Sequence, residues 1–421
     1  MRVLGWLGMV TIAACGPVKD LAPDGAAAPT LTVSRVGAGE GTVSSDGGEI
    51  VCGETCSATL APGTTVTMFA TASDASTFVG WSGACEGSET CTVTVNADTT
   101  VTAEFAVNGL TVEKLGTGVG SVRSNPDGIL CGTDCSEAYP TGTRVELTAS
   151  PGPGAVFTRW EGACTGADDC VVTIDGPQAV TAVFTCGGEA TFNATGSVQI
   201  FEPPACASRL IIDASGAQGG NNGGRGARVV GTFEITAPHE PLHVLVGRAG
   251  GSGRGGGGGG GSFVYVDPND PMPWIAAGGG GGASTLGAGE PGRESSASSG
   301  GGDGGSGCFL LVGYAGAGGG GWTSNGGNGT GSPPSGGGRA PRAGGEGGAP
   351  ASNGGAGGFG GGGGGGTAAG GGGGYSGGRG GNCTTSDGEP GGGGGSFNAG
   401  MDPVAQAGVR IGDGVVIIRW E

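Results

Sequence analysis

The residues best placed to do chemistry are His239-Glu240-Pro241-Leu242-His243, which satisfy the H-E-x-x-H pattern. In zinc proteases that pattern works because a helix sets both imidazoles one turn apart on the metal, with the glutamate behind them as base. Here Pro238 and Pro241 bracket the segment, and residues 242–246 read as a strand, so the required helix is not expected. The chain has only these 2 histidines, which leaves any third ligand to a carboxylate. A secreted metalloprotease acting through Glu240 is therefore the most distant of the functional readings. No catalytic residue, metal or cofactor is assigned. Asp267, Asn269 and Asp270 offer oxygens for a weak calcium site, but Asp-Pro-Asn-Asp is first of all a turn sequence. Asn328-Gly-Thr330 is a formal glycosylation acceptor. Each G-x-G-x-x-G match is a by-product of glycine runs without a βαβ context and does not indicate a nucleotide site.

Cysteine is the other reactive residue, and the chain has 13. The first fourteen residues carry Arg2 and then an apolar stretch, 3–14, too short to span a bilayer, followed by Cys15. This is a secretion signal. Ile12-Ala13-Ala14-Cys15 also resembles the lipobox of bacterial lipoproteins, which implies cleavage before Cys15, acylation of its thiol and a lipid anchor. A plain secretory signal with an incidental cysteine is the alternative, because small residues before a cleavage site are generic. In the lipoprotein family an aspartate after the cysteine retains the protein at the inner membrane; Gly16 stands there, so the resemblance implies the outer membrane or cell surface. A bacterial lipoprotein would normally leave Asn328 bare. Residues 15–30, rich in Ala and Pro, would be the tether.

Setting Cys15 aside leaves 13 − 1 = 12 cysteines, an even number in an exported chain, where disulfides are expected. Eight sit in an internal repeat that aligns without gaps: Cys52, Cys56, Cys85 and Cys91 recur as Cys131, Cys135, Cys164 and Cys170, offset by 131 − 52 = 79 residues. Trp81 and Trp160, Phe78 and Phe157, and Leu31 and Leu110 keep that offset. Two tandem modules follow, over residues 31–106 and 110–185. The spacings C-x3-C and C-x5-C suggest pairs Cys52 with Cys56 and Cys85 with Cys91, with their counterparts, although spacing alone does not fix connectivity. Four-cysteine zinc sites are the competing reading, disfavoured by the oxidising route and by the preference of zinc ribbons for C-x2-C. Cys186 with Cys206 and Cys308 with Cys383 are the candidate pairs of the last domain.

The elements that must position these residues read as β throughout. In the modules, Thr92-Val93-Thr94-Val95 and Val180-Thr181-Ala182-Val183-Phe184 alternate with period two, and Pro62-Gly63 and Thr141-Gly142 mark turns. The pattern Leu-Thr-Val, Gly-x-Gly-x-Val, Cys-Gly-x-x-Cys, Phe-x-x-Trp-x-Gly-Ala-Cys and Val-Thr-Ala-x-Phe resembles the divergent internalin-type B-repeats of bacterial surface proteins. The resemblance covers residues 31–184 and implies small β-rich modules used as stalks or adhesive spacers, without catalytic residues.

Residues 186–421 form the last domain. Glycine accounts for 108 of the 421 residues, concentrated between 215 and 398 in runs such as 255–261, 278–282, 360–366 and 370–374. Apolar stretches such as Ser262-Phe263-Val264-Tyr265-Val266 and Trp274-Ile275-Ala276-Ala277 separate the runs, and a solvated linker has no use for them. Residues 227–235 and 242–247 are expected to form a hairpin across the 238–241 turn, and 414–420 to close the domain as its last strand. Bare glycine backbones can pack side by side as threefold helices; collagen is excluded by the missing Gly-X-Y period. The stretches around 255–282 and 357–378 resemble the glycine-rich extracellular domain of the anaplastic lymphoma and leukocyte tyrosine kinase receptors. That resemblance spans about 190–420. It implies a tumour-necrosis-factor-like β-sandwich with an inserted bundle of polyglycine-II helices and transfers no site residues; no kinase motif occurs in the chain.

The expected fold is therefore mainly β, two small repeat modules followed by a glycine-rich sandwich. A formal net charge of −18 argues against nucleic acid or anionic lipid as direct partners, since no basic stripe exists to release counterions. The functional expectation is a non-enzymatic surface lipoprotein whose head binds an unidentified surface protein or glycan. A purely structural envelope role is the main rival.

Overall fold

The computed structural model describes residues 28–53, 56–296, 298–306, 313–383 and 387–421. The proposed signal peptide, lipidation at Cys15 and most of the tether lie outside these residues, as does Cys308. The described chain is mainly β, its one short helix being the 3-10 turn Pro341–Ala343. It forms two compact units. One holds residues up to Leu115 with Gly120–Ser150 and Phe157–Val183, the other Gly116–Val119, Pro151–Val156 and Phe184–Glu421.

Each repeat contains two four-stranded sheets. In the first repeat Thr30–Val36 pairs parallel with Thr99–Val107, so its first and last strands lie side by side, with Leu31 opposite Thr99. The second repeats this with Gly109–Leu115 and Gln178–Cys186, Leu110 lying opposite Gln178. Leu31, Val33, Val43, Met68, Trp81, Val101 and Phe105 fill the first core. The repeated tryptophan also donates a hydrogen bond, from Trp81 Nε1 to Glu89 O at 2.6 Å and from Trp160 Nε1 to Asp168 O at 3.1 Å. Each indole thus closes its own cysteine loop from within, next to the disulfides Cys85–Cys91 and Cys164–Cys170. Cys52–Cys56 and Cys131–Cys135 fasten the other short loop of each module. Loops this short gain only about 2 kcal/mol each on the chain-entropy estimate, so their main effect is to hold turns.

In the second unit, two five-stranded sheets face a shared core. The first runs Gly188–Asn193, Val415–Trp420, Arg209–Ser215, Gly226–Glu234, Met401–Arg410; the second Gln199–Phe201, Leu242–Leu245, Ser262–Tyr265, Ile275–Ala277, Phe397–Asn398. Leu210, Ile212, Val416 and Ile418 from the first meet Leu242, Val244, Val264 and Ile275 from the second. The last strand pairs antiparallel between Gly188–Asn193 and Arg209–Ser215. One expectation is corrected: 227–235 and 242–247 do not form a hairpin. Gly226–Glu234 pairs with Arg209–Ser215 and Met401–Arg410, whereas Leu242–Leu245 pairs with Gln199–Phe201 and Ser262–Tyr265 in the opposite sheet. Leu242 and Val244 can bury their side chains in the common core only from that facing sheet, and Pro238 and Pro241 supply no N–H with which to continue a ladder.

The glycine runs are joined laterally by backbone hydrogen bonds between distant segments. Gly258 N–H donates to Gly363 O at 2.9 Å, Gly363 N–H to Gly371 O at 2.8 Å and Gly279 N–H to Gly373 O at 2.7 Å. A Cβ on Gly258 would overlap the carbonyl oxygen of Gly371, and one on Gly280 that of Gly224. Glycine is needed at these positions for close approach of backbones. Ordering a residue costs about 1–2 kcal/mol of backbone entropy, and a hydrogen bond returns a net of only about 1 kcal/mol. Apolar anchors must therefore make up the difference. Trp322, fully buried, packs with Phe263, Tyr265 and Tyr375, and its Nε1 donates to Asp270 O at 3.0 Å. Burying such a ring contributes on the order of 3 kcal/mol.

Candidate functional site

The connection between Gly226–Glu234 and Leu242–Leu245 carries the His239-Glu240-x-x-His243 segment. It passes from one sheet to the other as an irregular segment followed by strand. His243 lies on the strand, directly opposite Tyr265. Leu242 and Val244 beside it turn into the core, so its ring takes the other face and stacks on Tyr265 at 5.3 Å and 7°. His239 stays in the connection, beside a cavity of about 310 Å3 that Trp274 and Glu240 also line. Neither nitrogen of His239 and not Nδ1 of His243 has a hydrogen-bond partner, although these atoms are shielded from solvent. The two imidazoles thus belong to different local settings, one in an irregular connection and one in a β ladder. Among the described residues no group of three or more His, Cys, Asp or Glu side chains is placed to hold a metal ion.

Burial pushes the Tyr265 hydroxyl up to about 12. Its ring also meets Trp322 edge-on at 5.2 Å, so the aromatic group under His243 is continuous with the anchor of the glycine runs. On the facing sheet, Arg228 grips Asp213 with two bonds, Nε to Oδ1 at 2.9 Å and Nη2 to Oδ2 at 2.6 Å. That hydrogen bonding to Asp213 raises the Arg228 guanidinium above its ordinary value.

The remaining sequence candidates fall apart from this place. The Asp267 carboxylate accepts from Asn269 N–H at 2.7 Å, closing its own turn. Asn328 is exposed, and its Oδ1 accepts from Gly337 N–H at 2.8 Å. Cys186 is joined to Cys206. Cys383 is disulfide-bonded, while its expected partner Cys308 lies outside the described residues. Sequence reasoning missed the cavity beside His239. Trp274 was legible as apolar strand material, but nothing in the spacing of residues 203, 235, 239, 266 and 274 signals that they share a wall.

A family model, the divergent InlB B-repeat domain, matches residues 31–109 and 119–188. These two segments are the two repeats. No curated protein sequence matches the chain significantly. Among solved structures, the chain is similar to the Bacillus anthracis TIE protein at 8% identity and a TM-score of 0.20, over 51% of this chain and 44% of that one. The match spans less than half of that protein's length, and at that score it supports no conclusion about fold or function. Among the described residues no helix is long and apolar enough to cross a membrane.

Proposed function

We propose that the protein is an exported, non-enzymatic surface lipoprotein, anchored through Cys15 in the outer membrane, whose two repeats form a stalk for a glycine-rich binding head. The finer fold belongs to the same proposal: a tumour-necrosis-factor-like sandwich carrying a bundle of polyglycine-II helices, as in the receptor domains that the sequence resembles. The observation that carries this reading is the lateral bonding of glycine runs far apart in sequence, such as Gly258 to Gly363 and Gly279 to Gly373. It supports a head with a fixed surface, which can present pockets and loops in one arrangement, in place of a solvated tail. The two segments that match the B-repeat domain support the stalk.

The test is saturable binding of the full chain to intact neighbouring cells and their surface extracts, with residues 28–185 as control. Binding by the full chain and not by the repeats supports the head as the binding part. A folded chain that captures nothing favours a structural envelope protein. Co-purifying zinc, with peptide cleavage that Glu240→Gln abolishes, would instead identify a metalloprotease.

A further inference from the structure

A groove of about 500 Å3 opens on the glycine-rich part of the head, lined by three short stretches of chain: 325–328, 336–339 and 346–349. The middle stretch is bonded to both of the others. On one side Gly326 N–H donates to Gly338 O at 2.8 Å, and the side-chain oxygens of Asn328 and Asn325 accept from Gly337 N–H and Ala340 N–H, both at 2.8 Å. On the other side Gly336 N–H donates to Ala349 O at 2.8 Å, and Arg339 N–H to Glu346 O at 2.9 Å. Among the described residues no hydrogen bond joins the two outer stretches to each other.

Glycine has no side chain, so where Gly326, Gly337 and Gly347 line the groove it is their main chain that faces it. All three are half-buried, and their carbonyl oxygens accept no hydrogen bond from within the described chain. The N–H groups of Gly347 and Ala349 donate none. A row of main-chain donors and acceptors is thus left over along both walls.

The rest of the head shows what such a row takes. Where one glycine run meets the next, as Gly258 meets Gly363 and Gly363 meets Gly371, the partner is another bare main chain. A peptide carries one donor and one acceptor per residue in a fixed repeat, which the hydroxyls around a sugar ring do not reproduce. Side chains are excluded by the spacing. A Cβ on Gly326 would overlap Gly318 O, one on Gly337 would overlap Gly326 O and one on Gly347 would overlap Gly357 O, so these segments stand at a separation that only bare backbones allow. A further neighbour at that separation must itself be glycine. The chain's own runs, such as 255–261 and 370–374, are already bonded inside the head, so the occupant belongs to another molecule. An extended threefold chain advances about 3.1 Å per residue, and the wall from Asn325 to Asn328 therefore accommodates roughly three to four residues.

We propose that this groove binds an oligoglycine stretch of a partner peptide, which lies between 325–328 and 346–349 as one more segment of the glycine bundle. This rests on the reading of the head as the binding part.

The experiment titrates the full chain with tetraglycine blocked at both ends, followed by ligand-observed NMR, beside the equally blocked tetra-alanine and methyl glucoside. Tetraglycine should saturate, and tetra-alanine should bind at least about tenfold more weakly or not at all. Ala349 is exposed on the wall, so Ala349→Leu fills the groove from its rim without entering the bundle. It should weaken tetraglycine about tenfold or more with thermal unfolding unchanged, which separates lost binding from lost folding. Gly287→Ala, where a Cβ meets nothing within 4 Å, should leave binding as it is. A folded chain that does not take up tetraglycine overturns the proposal. So does equal binding of tetra-alanine, binding that Ala349→Leu retains, or saturation by the glucoside alone. Intact-cell binding is measured on the same proteins. If the unmodified chain binds cells and takes up no tetraglycine, the groove fails while the binding head stands. If the unmodified chain binds no cells, the reading beneath it fails.

Discussion

The Asn108 amide nitrogen donates to the Thr141 hydroxyl at 2.7 Å, tying the segment between the repeats to the second of them. Asn108 is fully buried. Its side-chain oxygen accepts from the Thr77 hydroxyl of the first repeat, its N–H donates to Ala75 O and its carbonyl accepts from Tyr139 N–H, both at 2.9 Å. One residue therefore fixes both modules through directional bonds. The main-chain part recurs 79 residues on, where Gly187 N–H donates to Gly154 O within the second compact unit.

Replacing Asn108 with alanine should lower the unfolding free energy of the paired repeats by about 1–3 kcal/mol, because it removes two side-chain bonds at a buried site. Denaturant unfolding of residues 28–185 measures this. A loss below about 0.5 kcal/mol would mean that the joint does not depend on this side chain.

Gly258→Ala should be severely destabilising, since its Cβ would overlap the Gly371 carbonyl and neither backbone has a flexible end that can yield. Gly287 is the control: a Cβ there meets nothing within 4 Å, so alanine should be neutral or stabilise by up to about 1 kcal/mol. Thermal unfolding of the two variants side by side decides it, and equal melting temperatures would contradict close backbone packing at Gly258.

The raised Tyr265 hydroxyl sets an alkaline limit. Its folded value, about 12, exceeds the ordinary 10, so the folded state holds this proton more tightly than the unfolded chain. The associated stability, roughly 2–3 kcal/mol, is fully present below pH 10 and is lost as pH rises towards 12. Tyr265→Phe should flatten that decline, as read from denaturant unfolding between pH 9 and 12. An identical decline in the variant would place the alkaline sensitivity elsewhere.

Much of this architecture was legible in the sequence because it is written in side chains. The offset of Trp81 to Trp160 revealed the modules, alternation at Thr92–Val95 and 180–184 revealed strands within them, and short apolar stretches around Val264 and Ile417 revealed strands in the last domain. The joint was not legible, since the residue equivalent to Asn108 in the next module is Gly187, and an offset comparison shows no pattern there. Nor was the partition of strands between sheets. Strand alternation gives the buried face of 242–245 but not which sheet that face meets, and the expected hairpin with 227–235 failed for that reason. Glycine runs carry no side-chain pattern at all, so that Gly258 lies beside Gly363 and Gly371 could be learned only from the fold. The cavity at His239 was hidden likewise, being assembled from four separate stretches of chain.

The folded state of the glycine runs is tested most directly by amide hydrogen exchange over residues 255–261 and 360–374 in the full chain under oxidising conditions. Bonds such as Gly258 to Gly363 and Gly373 to Gly259 predict protection approaching that of the core strand Arg209–Ser215. Exchange of those glycine amides at the rate of an unstructured chain, while Arg209–Ser215 stays protected, would contradict a glycine-built head.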